Sequence, residues 1–585
     1  MISGSVTGKN WIYKKFDNNK VLKICEKFSI KEIISRLLVI RNIKIDDVNL
    51  FLEPSIKNSL PEPNTLTDME KSVNIVTKAI SEKKKVGIFG DYDVDGASAT
   101  ALLKKYFKSI KHPCTTYIPD RQKDGYGPTV KTFEYIINEH ANLIITVDCG
   151  TSSFDAIKFA KNKNVKTIIL DHHQANINLP DADAIINPNR LDDKSNLNHL
   201  CAAGVAFMFL ISLNRSLRKV NWFKKNNITE PNLIEYLDLV ALGTVCDVVP
   251  LVGVNRVFVK QGLKVIAKRE NLGIKTLCDL SKISSKPNTY HIGYILGPKI
   301  NAGGRVGQSS FGAELLTSDN PSKAFKLASE LDKFNKDRQL YEKNLIEEVE
   351  KEAIKNIKDP VLVLCGKFWH EGIIGIIASR IKEKFNKPTV LISLKDNTGK
   401  GSSRSVLGFD IGSNIIKAVQ MGILLKGGGH KMAGGFSILD QNIEKFKKFL
   451  IENYLKLNLD TQHLKNLYLD ATIYPTALNE DFYNDIDLLS PFGSGNYEPN
   501  FVIEDMKLLK GYIVGKKHIK SILLSKSGNA IKTITFNAVG SQLEPYLTLT
   551  NKKLFNIAGK LSLNEWKGKK DIEFVINDIS VNRYN

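Results

Sequence analysis

Aspartate and histidine side chains follow three apolar segments in the first half of the chain, at the points where strands are predicted to end. Asp91, Asp93 and Asp95 stand at alternate positions after the first segment. Asp148 and the triplet 171–173 (Asp-His-His) follow the next two. Carboxylates packed this closely repel one another unless a cation neutralises them. Because ligands of open parallel sheets bind at the carboxyl ends of the strands, these groups are expected to converge on one crevice.

These side chains predict a divalent metal centre. An EF-hand is excluded, because the twelfth position counted from Asp91, where that loop needs a glutamate, is Leu102. Asp247 adds a carboxylate inside an apolar run, where an unpaired charge would be costly. Carboxylates with neutral imidazoles suit Mn²⁺ or Mg²⁺, and more than four such ligands indicate two ions. A single aspartate is more often a helix cap or turn residue, so the set carries the prediction.

The chain has 585 residues, and its 83 lysines and arginines against 62 acidic residues give a net charge of +21. This surplus favours a polyanionic partner, of which nucleic acid is the commonest, although coding bias towards lysine is the alternative explanation. The seven cysteines show no C-x-x-C spacing, which excludes a disulfide framework and a zinc ribbon. No apolar run is long enough to cross a bilayer. We therefore expect a cytoplasmic protein with no membrane association.

Apolar strand-like segments alternate with helical segments in two regions, which predicts an α/β fold with a parallel sheet. A single long helix is predicted over 321–357, and short alternating strands after residue 465 indicate a small OB-like β-barrel. Five segments are predicted: an N-terminal segment packing on the core (1–64), a parallel-sheet domain (65–270), a helical connector with the long helix (271–357), a smaller α/β domain (358–455) and a nucleic-acid-binding barrel (460–585).

The strands of this barrel are expected to bring aromatic and basic side chains to a single-stranded nucleic acid. Because alternate residues of a strand point into the core, any single aromatic side chain is more often a core residue. The expected strands are 467–473, 518–524, 531–536, 555–561 and 571–576. The candidate side chains are Tyr512, Lys516, Lys517, His518, Phe536, Trp566, Lys567 and Lys569.

Arginine is scarce, with 13 in the whole chain, yet three stand in glycine- or serine-rich motifs. These are Arg121, Arg305 and Arg404, the last preceded by Ser402. The guanidinium group suits bidentate phosphate recognition, while a turn cap or surface ion pair is the alternative for any one of them. A glycine-rich turn over 426–436 allows close approach of a phosphate, although helix packing explains it equally well.

Four motifs together resemble those of the DHH phosphoesterase superfamily. They are Asp91-Tyr-Asp-Val-Asp-Gly96, Asp148-Cys-Gly150, Asp171-His172-His173 and Gly243-Thr-Val-Cys-Asp247, in the same order and after the same kinds of strand. The resemblance is closest to the superfamily's single-stranded-DNA-specific 5′→3′ exonucleases, and it extends from about residue 10 to the C-terminus.

The resemblance implies roles for the motif residues. The implied ligands of two Mn²⁺ or Mg²⁺ ions are Asp93, Asp95, Asp148, His172 and Asp247. Asp95 or Asp148 would bridge the ions, His173 would contact the scissile phosphate or a metal, and Asp91 and Asp171 would support the site. His173, Asp95 and Asp148 are thus the implied catalytic residues.

The resemblance also implies a substrate-binding half. Arg121, Arg305, Ser402 and Arg404 match positions that hold the 5′-terminal phosphate. Gly428, Gly429 and His430 match the GGGH signature of the DHHA1 substrate-binding domain, which would be the smaller α/β domain. His370 and Arg380 are further candidate contacts.

The implied activity is 5′→3′ hydrolysis of single-stranded DNA to 5′ mononucleotides in recombination and repair. A helicase and a single-strand binding protein are candidate partners, and a monomer is expected to suffice. One alternative is a nanoRNase or cyclic-dinucleotide phosphodiesterase, but those chains are shorter and need neither the barrel nor the N-terminal segment. The other is a non-catalytic, single-strand-binding replisome scaffold. This alternative is disfavoured because every implied metal-ligand position carries a residue that can bind a metal.

Overall fold

The computed structural model describes residues 4–120, 123–125, 127–457, 466–549, 553–566 and 569–581. For 565, 566 and 569 it describes the backbone alone. The chain forms two compact units. The first comprises 1–117, 127–297 and 465–585, and the second comprises 118–126 and 298–464. None of the helices within the described ranges is both long and apolar enough to span a bilayer.

The first unit begins with an N-terminal segment of one strand and four short helices. They are β1 (Asn10–Tyr13), α1 (Asn18–Phe28), α2 (Glu32–Ile40), α3 (Val48–Leu52) and α4 (Ile56–Ser59). The next region alternates strands and helices, as predicted. Its elements are α5 (Met69–Ser81), β2 (Val86–Phe89), α6 (Val94–Ser109), β3 (Cys114–Tyr117), α7 (Val130–Asn138), β4 (Leu143–Val147), α8 (Phe154–Asn162), β5 (Lys166–Leu170), β6 (Ala184–Ile186), α9 (Ala202–Lys219), α10 (Trp222–Lys225), α11 (Leu237–Cys246), α12 (Gly253–Ala267) and α13 (Leu272–Leu280).

The five strands β2 to β6 form one parallel sheet in the order β3-β2-β4-β5-β6. Strands β2 and β4 are buried along their whole length, because helices cover both faces of a parallel sheet. The last residue of β2 pairs with the penultimate residue of β4, and the last residues of β4 and β5 pair with each other. Asp148 and Asp171 follow β4 and β5 directly and Asp91 follows β2 after one residue, so the three lie level at one edge of the sheet.

The second unit contains the long helix and a five-stranded mixed sheet in the order β10-β11-β9-β8-β7. Its elements are α14 (Gly297–Val306), α15 (Phe311–Leu316), α16 (Pro321–Lys355), β7 (Leu362–Lys367), α17 (Glu371–Phe385), β8 (Thr389–Lys395), β9 (Thr398–Arg404), α18 (Ile411–Gln420), β10 (Lys426–His430), β11 (Ala433–Leu439) and α19 (Ile443–Leu455). The helix α16 begins at its predicted residue, where Asn320 caps it and Pro321 fixes the first turn.

The glycine-rich segment 426–436, predicted as a turn, is an antiparallel pair of strands, β10 and β11, joined at 431–432. The prediction was wrong because glycine is disfavoured in strands, yet here it lets neighbouring elements approach the backbone closely. A Cβ atom on Gly429 would lie 2.4 Å from the carbonyl oxygen of Ala433. The segment therefore forms the edge of the second unit's sheet.

The C-terminal part of the first unit is a closed barrel. Its elements are β12 (Asn466–Leu469), β13 (Ala471–Thr472), α20 (Glu480–Asp487), β14 (Phe501–Val514), β15 (His518–Ser525), β16 (Ala530–Thr535), α21 (Glu544–Thr548), β17 (Phe555–Trp566) and β18 (Lys569–Ser580). The strand order β14-β15-β16-β18-β17 closes through a β17–β14 pairing, and β16 and β18 run parallel. This five-stranded closure, with a helix between the third and fourth strands, confirms the predicted OB-like barrel. The expected strand 467–473 is not one of the five, because it forms β12, which pairs with β1, and the short β13 beside β14.

The longest barrel strand, β14, was not predicted. Its register shifts twice, between Ile503 and Met506 and between Leu508 and Lys510. Each shift breaks the alternation of buried and exposed side chains from which a strand is recognised. The strand is therefore identified by its pairing with β15 and β17 in the structure, not by its sequence pattern.

The N-terminal segment packs on this barrel. Strand β1 pairs in parallel with β12. The indole Nε1 of Trp11 donates a 2.7 Å hydrogen bond to Asp578, which is fully buried and also accepts from Ser5 and Thr7. Apolar residues of α1 and α2 join the barrel's hydrophobic core. The rest of the segment packs on the parallel-sheet domain, where α4 contacts α12 and the Arg256 guanidinium lies over the Phe51 ring and donates to the Phe51 carbonyl (3.0 Å). The predicted segment 1–64 thus contacts both that domain and the barrel.

Replacement of Trp11 by Phe is expected to destabilise the first unit. The buried Asp578 carboxylate would lose a charge-assisted hydrogen bond, at a cost of about 1–3 kcal/mol. The midpoint of urea-induced unfolding should therefore fall. As a control on the same strand, Tyr13→Phe removes an exposed hydrogen bond to Thr472 and should change stability by less than about 0.5 kcal/mol. Equal shifts for the two variants would contradict the anchoring role of Trp11.

Candidate metal centre and phosphate-binding group

The first acidic motif joins β2 to α6 through a turn that is held tightly. The Asp93 carboxylate caps α6 by accepting a 3.0 Å hydrogen bond from the amide of Gly96. Gly96 must be glycine, because a Cβ atom there would lie 2.7 Å from both the Cβ and the carbonyl oxygen of Asp91. The turn therefore fixes Asp91 and Asp93 beside the end of the strand.

The Asp95 side chain holds the start of another helix. Its two carboxylate oxygens accept hydrogen bonds from the amides of Ala202 (2.6 Å) and Ala203 (3.0 Å), at the N-terminus of α9. These amides and the positive end of the helix dipole stabilise the charge of Asp95 although the residue is buried. The carboxylate is thus locked in one orientation.

Asp148 follows β4 directly and adopts a left-handed backbone conformation, with φ of 62°. A non-glycine residue there is strained, and such strain concentrates at functional sites. Its amide donates to the carbonyl of Leu170, which continues the sheet ladder by one step. The conformation places the Asp148 carboxylate next to the histidines of the neighbouring strand end.

The Asp171 carboxylate positions the two histidines. One oxygen accepts hydrogen bonds from the His173 ring Nδ1 (2.8 Å) and from the amides of His172 (2.8 Å) and His173 (3.1 Å). The other oxygen accepts from the amide of Thr151 (3.1 Å). Burial alone would raise the pKa of Asp171, but the hydrogen bond and charge of His173 hold it below its usual range. Asp171 therefore supports the site in its charged form.

Five aspartates and two histidines converge at this edge of the sheet. The Nε2 atom of His172 lies 3.2 Å from Asp148, 3.7 Å from Asp247 and 3.8 Å from Asp95, measured to the nearest carboxylate oxygens. Three sets could each hold an ion, because their ligand atoms lie within 4.8 Å of one another. They are Asp148, His172 and His173; Asp95, His172 and Asp247; and Asp91, Asp93 and Asp148. The predicted metal ligands are thus brought together.

The electrostatics of the cluster call for cations. Burial, followed by repulsion from neighbouring carboxylates, raises the pKa of Asp148 well above its ordinary value and the pKa of Asp247 to about 8. Burial would lower the pKa of His173, but its hydrogen bond to Asp171 and the surrounding carboxylates raise it to about 9. The Nε2 atom of His172 is buried without a hydrogen bond from the described residues. An imidazole nitrogen facing three carboxylate oxygens fits Mn²⁺ or Mg²⁺ coordination.

Several residues that build this site escaped sequence analysis. The side-chain amide of Asn187 donates to the Thr151 hydroxyl (3.1 Å) and to the carbonyl of His173 (2.9 Å), and the side-chain amide of Asn189 donates to the carbonyl of His172. Asn187 and Asn189 follow β6, so the sequence feature that could have identified them is again a polar residue after a buried strand. Gly243 presses against Asp95, and a Cβ atom there would lie 2.4 Å from its carboxylate.

The second unit holds another group of predicted residues, at the first turn of α17. A guanidinium nitrogen of Arg305 donates to the carbonyl of Gly372 (3.2 Å). A Cβ atom on Gly375 would lie 2.9 Å from the Ser402 hydroxyl and 3.2 Å from a nitrogen of Arg404. Two guanidiniums and a hydroxyl therefore lie at the N-terminal turns of α17, where their positive charge and the positive end of the helix dipole favour an anion. This arrangement suits a phosphate.

Two of the three predicted residues of the glycine-rich segment, Gly428 and His430, share a sheet face with Ser402 and Arg404. The register aligns Ser402, Gly435 and Gly428 in one row, and Arg404, Ala433 and His430 in another. Residues two apart on a strand face the same side, so Gly428 and His430 lie about 10 Å from Ser402 and Arg404 on that face, while Gly429 faces the other side. Small residues occupy the strand between them. Arg121 lies outside the described residues.

Comparison with known proteins agrees with this geometry. The DHH family N-terminal domain matches residues 85–244, the DHHA1 domain matches 358–456 and the RecJ OB domain matches 469–578. The single-stranded-DNA-specific exonuclease RecJ of Haemophilus influenzae is 32% identical over 586 residues, covering 97% of this chain and 99% of its own. The chain belongs to the RecJ family. The RecJ of Escherichia coli is 35% identical over 541 residues, covering 90% of this chain and 92% of its own.

Solved structures of the RecJ family show the same fold. The crystal structure of Thermus thermophilus RecJ in complex with Mn²⁺ superposes with a TM-score of 0.80 at 23% identity, covering 98% of this chain and 79% of that one. The corresponding Mg²⁺ complex has a TM-score of 0.72, with coverage of 98% and 78%. The DHH resemblance read from the motifs, and the α/β architecture with a C-terminal OB domain, are thus confirmed.

Replacement of Gly243 by Ala is expected to weaken metal binding without unfolding the protein. The new methyl group would lie 2.4 Å from the Asp95 carboxylate and 2.8 Å from the Cβ atom of Ala203, so Asp95 and the start of α9 that holds it must shift. Disturbing the support of a metal ligand lowers affinity roughly 10- to 100-fold. Isothermal titration with Mn²⁺ measures the effect. The control is Gly293→Ala, whose added carbon meets Val245 at an ordinary 3.5 Å and should leave the affinity unchanged. Wild-type affinity in the Gly243 variant would contradict the assignment of Asp95.

Proposed function

We propose that the protein is a metal-dependent exonuclease that degrades single-stranded DNA from the 5′ end and releases 5′ mononucleotides. The observation that carries the proposal is the cluster of five aspartates and two histidines at the carboxyl edge of the parallel sheet. Support comes from the RecJ family, whose members compared above are named as single-stranded-DNA-specific exonucleases. The proposed setting is recombination and repair in the cytoplasm, as a monomer, with a helicase and a single-strand binding protein as partners.

The proposed ligands of two Mn²⁺ or Mg²⁺ ions are Asp93, Asp95, Asp148, His172 and Asp247. The ions supply Lewis acidity, both for attack of water on phosphorus and for departure of the 3′ oxygen. The protein fixes the ligands beforehand through α9, the Asp171 hydrogen bonds and the turn at Gly96. No ligand reorientation is then needed when the ions bind.

His173 has a role of its own in this proposal. Its Nδ1–H donates to Asp171, and despite burial this hydrogen bond and the surrounding carboxylates raise the pKa of the imidazole to about 9, which favours the cationic form. A cationic ring has a second N–H group at Nε2, which suits a non-bridging oxygen of the scissile phosphate. His173 thus orients the phosphate and stabilises its developing charge, while Asp95 and Asp148 hold the metal ions.

The group at the first turn of α17 supplies the proposed polarity. Arg305, Ser402 and Arg404 hold the 5′-terminal phosphate, while Gly428, Gly429 and His430 belong to the adjoining sheet edge. Arg121 is proposed for the same phosphate. A grip on a terminal phosphate selects one end of the strand and one direction of degradation. In this proposal the first unit hydrolyses the phosphodiester bond and the second unit recognises the strand end.

The barrel favours a polymeric substrate over a cyclic dinucleotide. Tyr512 and Phe536 are exposed rather than in the core, and the Phe536 ring packs edge-on against His518 at 5.3 Å. Lys516 and Lys517 lie in the adjoining loop between β14 and β15, which binds nucleic acid in many OB folds. Trp566, Lys567 and Lys569 have side chains outside the described part of the structure. A small substrate needs none of these groups.

Replacement of Asp247 by Asn is expected to reduce cleavage at least about 100-fold, because a metal ligand is lost. The assay follows single-stranded DNA labelled at the 5′ or the 3′ end, with Mn²⁺. Wild-type protein should release labelled mononucleotide at once from the 5′ label alone.

The matched control is Asp238→Asn, which makes the same change at the other end of α11. Asp238 is buried away from the cluster, and burial raises its pKa to about 6, so a neutral amide is expected to be tolerated with cleavage retained. Release first from the 3′ label would overturn the proposed polarity. Undiminished cleavage by the Asp247 variant would overturn the proposed metal centre.

Replacement of Arg404 by Ala tests end recognition separately. Wild-type protein is expected to cleave a 5′-phosphorylated strand about tenfold or more faster, per unit concentration, than a 5′-hydroxyl strand. The variant should lose this preference and keep its metal affinity. Arg269→Ala, which removes an exposed ion pair with Asp279, is the control and should keep the preference. A preference that survives in the Arg404 variant would remove this residue from the phosphate group.

A further inference from the structure

Two hydrocarbon side chains occupy a backbone conformation that suits glycine. Among the non-glycine residues of the described chain with positive φ, only Val248 (60°) and Phe368 (64°) have such side chains. Both are also exposed, Val248 to 67% and Phe368 to 87%. Val248 directly follows Asp247 of the metal cluster. Phe368 stands two residues before the cap of α17, beside the phosphate-binding group.

The backbone at Phe368 is held by its own amide, which donates to the carbonyl of Leu394 (3.4 Å), and by the two residues that follow. The following Trp369 is buried, and its indole nitrogen donates a 3.1 Å hydrogen bond to Glu348. His370 caps α17 by accepting the amide of Gly372 (3.1 Å), and its ring stacks on Tyr341 at 5.9 Å. The chain must therefore leave β7 and enter α17 through a left-handed residue at 368.

A glycine would meet this geometric need at the least cost. Phenylalanine adds two unfavourable features, a bulky residue in the left-handed region and an aromatic ring left in water. Its high exposure means that packing within the chain does not offset them. Strain that is maintained next to a binding group points to a ligand.

We propose that Phe368 stacks on the base of the nucleotide whose phosphate is held at the first turn of α17. The proposal rests on the proposed function, since it takes that phosphate group as given. An aromatic face accepts any of the four bases, so the contact is independent of sequence. It also requires that one face of the base be free. Phe368 is thus a positioning residue that favours an unpaired, unstacked strand end over a duplex end.

The test measures binding of two 5′-phosphorylated single-stranded oligonucleotides that carry a dye at the 3′ end. One ends in adenine and the other in an abasic tetrahydrofuran residue, and fluorescence anisotropy gives both Kd values. The full chain carries Asp247→Asn, so that the strands stay intact. With Phe368 present, the adenine-ended strand is expected to bind roughly 5- to 150-fold more tightly, the range for one stacked base.

Phe368→Leu should bring this ratio close to one, while Phe368→Trp should keep it. The matched control is Phe325→Leu, which truncates an exposed ring on α16 of the same unit and should leave the ratio unchanged. Phe368→Gly should leave the thermal unfolding midpoint unchanged or higher, because the left-handed conformation suits glycine. A lower midpoint would show that the ring supports the fold, and would count against the proposal.

A second ratio separates this proposal from the proposed function. It compares 5′-phosphorylated with 5′-hydroxyl strands, and Phe368→Leu should retain it. If the phosphate ratio is intact but the base ratio is one in the parent protein, or unchanged in the Leu variant, stacking by Phe368 is wrong and end recognition stands. If the parent protein shows no phosphate preference, or binds neither strand, the proposed function fails and the stacking proposal fails with it.

Discussion

Mutual repulsion among buried carboxylates is the constraint on which the architecture depends. Asp95, Asp148 and Asp247 lie so close together that burial and neighbouring charge raise the pKa of each. The fold counters this locally, with helix N-termini and backbone amides that hold single carboxylates in place. These donors orient the groups but leave the cluster with excess negative charge. Only a level sheet edge, with several strands ending together, can assemble such a site from residues far apart in sequence.

The residues that follow the central strands were predictable for the same reason. Buried parallel strands form uninterrupted apolar runs in the sequence, and the acidic motifs marked where β2 and β4 end. The long helix α16 was equally predictable from the helical spacing of its apolar residues. The residues that converge on the candidate metal centre, and the elements that position them, were therefore predictable from the sequence.

What escaped prediction depends on contacts between distant segments. The bulges of β14 removed its alternation, and the glycine-rich strands β10 and β11 have a composition typical of turns. Nothing local in the sequence shows that Trp11 meets Asp578, or that Asn187 bridges Thr151 and a histidine carbonyl. A polar residue after a strand signals a site but does not say which group it supports. The residue that each polar side chain contacts is known only once the strands are placed in three dimensions.

The pairing of β1 with β12 has a consequence for synthesis. A strand near the start of the chain has its partner roughly 450 residues later, a distance that a ribosome covers in about 20–90 s at 5–20 residues per second. During that interval the indole of Trp11 and the apolar faces of α1 and α2 have emerged without the barrel that buries them. The nascent chain thus carries an exposed apolar segment through most of its translation, a natural binding site for chaperones that recognise unfolded chains.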